Sequence, residues 1–150
     1  MIDRFEHFSL AISEISRCWH KLAAEEMAKY GLRGPHATYL TAIYRHPEGI
    51  TVPQLCELTG KDKSDASRML SILEQKGLVS KQVVDGSLYR GLLVLTPAGI
   101  AAAEHVRSRA SRAVAMAGKD LSEETRAIFY QALDSITENL IRLSRNGIPE

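Results

Sequence analysis

The chain has 150 residues, a formal net charge of +1 and two cysteines. This length fits one domain, or a compact domain with a helical extension, that can bury its core without a disulfide or metal. Cys18 and Cys56 lie far apart and form no C-x-x-C pair, which argues against a zinc site and favours a reducing cytoplasm. We see no signal peptide and no membrane-length apolar run, so a soluble, cytoplasmic protein is expected. The near-neutral charge neither supports nor excludes nucleic acid as a partner.

The first predicted helix runs from about residue 5 to residue 30. Its apolar residues recur at alternating spacings of three and four, which is a narrow a/d seam: Phe5, Phe8, Ile12, Ile15, Trp19 and Leu22. Two interpretations remain open. The seam packs against the other long helices of the same chain, or it contributes to a subunit interface.

Three further helices are predicted between residues 34 and 77. The first opens at Gly34-Pro35, and the second is short, with Thr51 and Gln54 forming a capping box. Leu55 and Leu58 of this short helix are expected to point inward. Asp62 caps the third, over residues 63–76, and Gly77 ends it in the C′ position.

After Gly77 the apolar period falls from 3.6 to about two, which predicts strands over residues 78–84 and 91–95. Asp85-Gly86 is a turn signal between them, in a loop expected to extend through residue 89. Thr96-Pro97 then begins an alanine-rich fifth helix, and Ser122 begins a sixth. The sixth carries an apolar stripe formed by Phe129, Ala132, Leu133, Ile136, Leu140 and Leu143.

The order of a short capped helix, a turn at Gly60, a longer helix and a hairpin predicts a winged helix-turn-helix over residues 51–96, and therefore a regulator that binds duplex DNA. The longer helix exposes short polar residues around one long donor, a face that can enter a major groove: Ser64, Asp65, Ser67, Arg68 and Ser71. Lys61 and Lys63 flank its start, where phosphate is favoured. On the hairpin, Lys81 and Arg90 could reach the minor groove or backbone. Thr51 and Gln54 either touch phosphate or serve only as caps.

These residues closely resemble the MarR family of bacterial transcriptional regulators. The matching segments are Gly49–Leu55, Asp62–Leu70, Leu73–Val79 and the restart Leu95-Thr96-Pro97-Ala98-Gly99. The resemblance implies an obligate homodimer on a pseudo-palindromic operator, usually a repressor released by a ligand or oxidant. It implies that Ser64, Ser67 and Arg68 contact DNA. It also implies that Arg90 lies near the position of the arginine that the family carries in its wing. One departure is that residues 85–90 lack the basic run common at the family's wing tip.

The predicted architecture is therefore mainly α with a small β-hairpin wing. It comprises an N-terminal dimerisation helix (1–33), a winged helix-turn-helix (34–96) and C-terminal dimerisation helices (97–150). Two-fold symmetry predicts half-sites about 34 Å apart. A winged-helix module for protein–protein interaction is the alternative from another class. No catalytic motif is found, so an enzyme is not expected.

Three regulatory inputs are weighed. A small-molecule pocket could be lined by Trp19, His20, His36 and Tyr39, whose alternative role is packing. Oxidation of Cys18 would make the protein a thiol-based regulator, against the alternative of a small buried residue. The five histidines form no i, i+4 pair and do not cluster with cysteine, so no metal and no cofactor is expected.

Overall fold

The computed structural model describes residues 2–84 and 87–150; for Val84 and residues 87–90 it describes the backbone. The chain divides into two compact units, residues 1–109 and 110–150. The first holds helices α1 (Arg4–Ala28), α2 (His36–Tyr44), α3 (Val52–Thr59) and α4 (Lys63–Gln75), and strands β1 (Val79–Val84) and β2 (Ser87–Leu95). Helix α5 (Pro97–Ala117) begins in the first unit and ends in the second, which also holds α6 (Glu123–Asn146). The predicted mainly α fold with a small hairpin is confirmed.

The predicted helix boundaries at the helix-turn-helix follow from local chemistry. Thr51 and Gln54 form the reciprocal capping box, in which the backbone N–H of Gln54 donates to Thr51 Oγ1 and the backbone N–H of Thr51 donates to Gln54 Oε1. Helix α3 ends at Gly60, whose φ of 68° is in the left-handed region. Asp62 then caps α4 by accepting the Asp65 amide N–H at 2.7 Å. These caps satisfy backbone donors that α3 and α4 leave unpaired at their first turns.

The hairpin differs from the expectation in where its second strand begins. The predicted loop extended through Tyr89, but β2 begins at Ser87, and Val84 pairs with Ser87. The residues between them, Asp85 and Gly86, lie outside the described part of the chain. The register slips between Gln82 and Val84, so the ladder is irregular near the tip. Period-two patterning identifies a strand only where its pairing is regular. The irregular pairing near the tip is therefore why the start of β2 was misplaced.

An isolated backbone bridge that extends the two-stranded sheet was not predicted. Ile50, just before α3, exchanges two backbone hydrogen bonds with Leu93 of β2, at 3.1 and 2.8 Å. Both side chains are fully buried. This bridge ties the start of the helix-turn-helix to the hairpin, so wing and helices share one core.

The core of the first unit draws on every helix and strand of that unit. Its buried apolar residues are Met27, Leu32, Tyr39, Leu40, Ile43, Ile50, Leu55, Ala66, Met69, Leu70, Leu73, Leu78, Val79, Leu93, Ala102, Ala103 and Val106. Leu58 was expected to join them, but it is 59% exposed and that prediction was wrong. The face of α3 that meets the core is formed by Val52, Leu55 and Cys56, and Leu58 lies outside it.

Gly99 holds the restart of α5 against the hairpin. A Cβ at this position would lie 1.9 Å from the backbone oxygen of Leu78. Thr96 caps the helix by accepting the Gly99 amide N–H at 3.1 Å, and its hydroxyl donates to the Gly77 oxygen at 2.6 Å. The Thr-Pro-x-Gly sequence is therefore required by close backbone packing as well as by helix initiation.

In the second unit, α6 is a 24-residue helix without a buried residue. Ser122 caps it by accepting the Thr125 amide N–H at 3.1 Å. The predicted stripe is largely exposed in the single chain, with Phe129 at 47% and Leu140 at 46%. None of the described helices is long and apolar enough to cross a membrane.

Candidate nucleic-acid interface

Helix α4 separates an apolar face from a polar one along its whole length. Its buried residues are Ala66, Met69, Leu70 and Leu73, which belong to the core. On the opposite side Ser64, Ser67, Arg68 and Ser71 are exposed. The sequence therefore predicted the exposure of these four residues correctly, and three of them have the short side chains that allow a helix backbone to approach base edges closely.

Arg68 is the long donor on this face, and its guanidinium is oriented by its own helix. Nη1 donates to Ser64 Oγ at 2.9 Å, while Nη2 lies 3.8 Å from Asp65 Oδ1. The Arg68 side chain is 67% exposed. The guanidinium is thus directed along the first turn of α4, and it is exposed enough to donate to a phosphate or a base.

Asp65 was grouped with the DNA-facing residues, but its carboxylate turns inward. Oδ2 accepts a hydrogen bond from the Tyr39 hydroxyl at 2.6 Å, and the side chain is 26% exposed. A carboxylate near phosphate would be repulsive unless it were otherwise engaged. The described geometry gives Asp65 a structural contact between α2 and α4.

The remaining cations differ in their surroundings. Lys61 and Lys63 are exposed beside the start of α4, and no ion pair among the described residues involves either. Lys81 is exposed on β1, but its Nζ lies 3.8 Å from Glu74 Oε1. The side chain of Arg90 lies outside the described residues, so its predicted wing contact stays a prediction. Thr51 and Gln54 are both engaged as caps.

The four residues expected to line a ligand pocket fall into two environments. His36 and Tyr39 on α2 are buried, with exposures of 1% and 0%, whereas Trp19 and His20 on α1 are exposed. His36 Nδ1 lies 3.0 Å from the backbone nitrogen of Arg33 and 3.0 Å from its backbone oxygen. His36 Nε2 has no hydrogen-bond partner among the described atoms, and burial lowers the pKa of the ring. His36 is thereby favoured as the neutral imidazole.

Cys18 is exposed, so the alternative of a small buried residue was wrong. Its Sγ lies 3.7 Å from Arg17 Nη2 and 3.8 Å from Glu14 Oε1. Arg17 itself is paired with Glu14, and this pairing lowers the pKa of the Glu14 carboxyl. Cys56 is partly buried and packs against the core of the first unit, as expected.

An ion cluster between α1 and α5 was missed by sequence reasoning. Glu26 accepts from Lys29 Nζ at 2.6 Å, from Arg109 Nε at 2.8 Å and from His105 Nε2 at 3.0 Å. These donors, led by Lys29, lower the pKa of Glu26 to about 2. Because Arg109 and His105 lie about eighty residues away, no local pattern could have paired them with Glu26.

This set of elements defines a winged helix-turn-helix protein with long flanking helices. The model of the MarR family matches residues 30–87, which include α2, α3, α4 and β1. The predicted resemblance to the MarR family of transcriptional regulators is confirmed over these residues.

Solved structures extend the likeness to the rest of the fold. A MarR regulator from Methanosarcina mazei Go1 is 22% identical, with a TM-score of 0.80, and the match covers 95% of this chain and 94% of that one. A MarR-family regulator from Listeria monocytogenes, solved with 26mer DNA, has the same identity and TM-score and covers 100% and 99%. The MepR–DNA complex of Staphylococcus aureus is 22% identical, with a TM-score of 0.78, and covers 89% and 96%. No curated protein matches the chain.

Proposed function

We propose that this protein is a transcription regulator that binds duplex DNA through α4. The observation that carries the proposal is the polar face of α4, where exposed serines surround an exposed Arg68 and the opposite face is fixed in the core. Two MarR-family structures of the same fold were solved with DNA, which supports the same use here. Ser64, Ser67, Arg68 and Ser71 would meet base edges or phosphates, and Lys61 and Lys63 would meet phosphates.

We propose that the regulator is a homodimer. As the sequence predicts, its flanking helices would form the dimer and its central winged unit would bind DNA. Exposed apolar side chains support this, because monomers rarely leave such large apolar surfaces uncovered. The predicted seam of α1 is exposed throughout, from Phe5 at 67% to Leu22 at 46%. The stripe of α6 includes Ile136 at 40% and Leu143 at 37%. A symmetric dimer would read two half-sites about one helical turn apart on a pseudo-palindromic operator.

The DNA proposal is tested by selecting duplexes from a random library with the wild-type protein and titrating Arg68→Ala against the selected duplex. We expect the substitution to weaken binding at least tenfold, since one good arginine contact contributes about 1–3 kcal/mol. Arg33→Ala changes an exposed arginine outside α4 and should leave binding unchanged. If Arg68→Ala binds like the wild type, Arg68 is not part of the interface. If the wild-type dimer selects no duplex, the protein-interaction module becomes the better proposal.

The dimer is tested by sedimentation of Leu140→Glu, which places a charge on the apolar stripe of α6. In a symmetric dimer two leucines are lost, at about 1.5–3 kcal/mol each, so dissociation should rise at least a hundredfold. Asn139→Glu introduces the same charge one residue away, where the side chain accepts from Arg142, and should remain dimeric. A wild-type chain that sediments as a monomer at micromolar concentration would contradict the homodimer.

We further propose that the regulator is a repressor released by a signal, as the family resemblance implies. A small apolar ligand is one candidate signal. Oxidation of Cys18 is a second, because its thiol is exposed and lies near a guanidinium. In that reaction peroxide is reduced to water while the thiolate is oxidised to sulfenic acid. If Cys18 is the sensor, peroxide should release the wild type from the selected duplex and leave Cys18→Ser bound.

A further inference from the structure

The Tyr39 hydroxyl reaches from the core of the first unit to the base of the candidate reading face. Tyr39 lies on α2 with no exposed surface, and its hydroxyl donates to Asp65 Oδ2 at 2.6 Å. Asp65 is in the first turn of α4, three residues before Arg68. The bond therefore joins α2 to the part of α4 that carries the proposed contacts.

The two carboxylate oxygens of Asp65 have different partners. Oδ2 accepts a hydrogen bond from Tyr39, whereas Oδ1 lies 3.8 Å from Arg68 Nη2, which is an ion pair too long for a hydrogen bond. The Arg68 guanidinium donates instead to Ser64 Oγ. An aspartate and an arginine three residues apart on a helix can form a direct pair, often with both oxygens engaged. In this chain the buried hydroxyl competes for that carboxylate.

The Tyr39 hydroxyl is suited to hold its proton in this position. Burial raises the pKa of Tyr39, and the neighbouring Asp65 carboxylate raises it further. The phenol therefore keeps its proton at neutral pH and donates to a carboxylate, which makes the bond charge-assisted and strong.

We infer that Tyr39 is a positioning residue for DNA binding: its hydroxyl keeps the Asp65–Arg68 ion pair open, without a direct hydrogen bond, and so keeps the guanidinium available to DNA. This inference rests on the proposed function. Without the hydroxyl, Oδ2 would lack its described donor, and the Arg68 guanidinium, already 3.8 Å from Oδ1, could close onto the carboxylate. A closed Asp65–Arg68 pair would have to be broken before Arg68 could contact a base or phosphate.

The test is Tyr39→Phe, titrated by fluorescence anisotropy against a labelled duplex that the wild type has selected from a random library. We expect about tenfold weaker binding, comparable to the loss of one arginine contact. The slope of log K against log salt should also move towards that of Arg68→Ala. Tyr44→Phe is the matched control, because the Tyr44 hydroxyl donates to Glu104 at 3.3 Å and has no part in the contact. It should bind like the wild type.

Two backgrounds separate positioning from a general loss of structure. In Arg68→Ala, adding Tyr39→Phe should cause no further loss, since the guanidinium it protects is gone. In Asp65→Asn, adding Tyr39→Phe should leave binding near the wild-type level, because a neutral amide cannot hold Arg68 as a carboxylate does. Asp65→Asn alone should bind at least as tightly as the wild type, a result that does not depend on the folding of Tyr39→Phe.

The results that would overturn the inference are equally specific. An unchanged affinity for Tyr39→Phe would do so, as would an equal loss in all three backgrounds or weaker binding by Asp65→Asn. A wild-type protein that selects no duplex would overturn the proposed function and this inference together. That failure is distinguishable, because it precedes any comparison among variants.

Discussion

The salt dependence of DNA affinity offers a quantitative test of the proposed interface. Each neutralised phosphate releases counterions, so the slope of log K against log salt grows with the number of phosphate contacts. Lys61, Lys63 and Arg68 are the exposed cations at the start of α4. If each meets one phosphate in both protomers of a dimer, six contacts give a slope of log K against log salt of about −5. Adding Lys81 and Arg90 would raise the total to ten contacts and the slope to about −9.

The informative perturbation is the double variant Lys61→Ala, Lys63→Ala. It removes four cations from the dimer, so the slope should become shallower by about 3.5. Between 50 and 200 mM salt the wild type should lose about a thousandfold in affinity, whereas the double variant should lose only about tenfold. Anisotropy titrations of the selected duplex at four or five salt concentrations measure both slopes.

Lys81→Ala is the matched control, since Lys81 already lies 3.8 Å from Glu74 and its charge is partly compensated. Loss of one full phosphate contact per protomer would change the slope by about 1.8, and Lys81→Ala should change it by less. The reasoning is refuted if the double variant keeps the wild-type slope, or if the wild-type slope is near zero. In the first case the phosphates are met elsewhere, and in the second the protein makes few phosphate contacts.

Three further predictions concern stability. Gly99→Ala should destabilise the fold by about 3 kcal/mol or more in urea unfolding at fixed protomer concentration, because its Cβ would overlap the Leu78 carbonyl oxygen. Asp62→Ala should cost about 1 kcal/mol, through loss of the cap on α4. Glu26→Gln should lower the melting temperature at pH 7 by removing a carboxylate that three donors share. Because the pKa of Glu26 is depressed from 4.5 to about 2, its stabilising effect is complete above pH 4.5 and is lost as the pH falls towards 2.

Each of these has its own control. Gly118→Ala places a methyl group no closer than 3.6 Å to the nearest described atom, so it should be near neutral; a similar loss in both glycine variants would contradict the steric argument. Ser64→Ala leaves the cap on α4 intact and should cost less than Asp62→Ala. For Glu26, a melting difference from the glutamine variant that is the same at pH 3 and pH 7 would show that the charge of Glu26 does not contribute to stability.

The helix-turn-helix could be predicted because its signals are local. The capping box at Thr51 and Gln54, the cap at Asp62 and the glycine after α4 act within a few residues, and each is found where the sequence predicts it. The apolar period of α4 likewise fixes which side is buried, so the exposure of Ser64, Ser67 and Arg68 followed from spacing. The resemblance to the MarR family rests on these same residues.

The sequence could not decide contacts between residues distant in the chain. Asp65 matches the polar face by spacing, yet it turns towards Tyr39, twenty-six residues earlier. The bridge between Ile50 and Leu93 and the cluster around Glu26 also join distant segments. Leu58 shows the same limit, because an apolar residue is buried only where another element covers it. Local caps and periods therefore determined where the helices of the helix-turn-helix lie and which face of α4 is polar. Only the tertiary structure decided which polar groups meet, since such a contact depends on how separate elements pack.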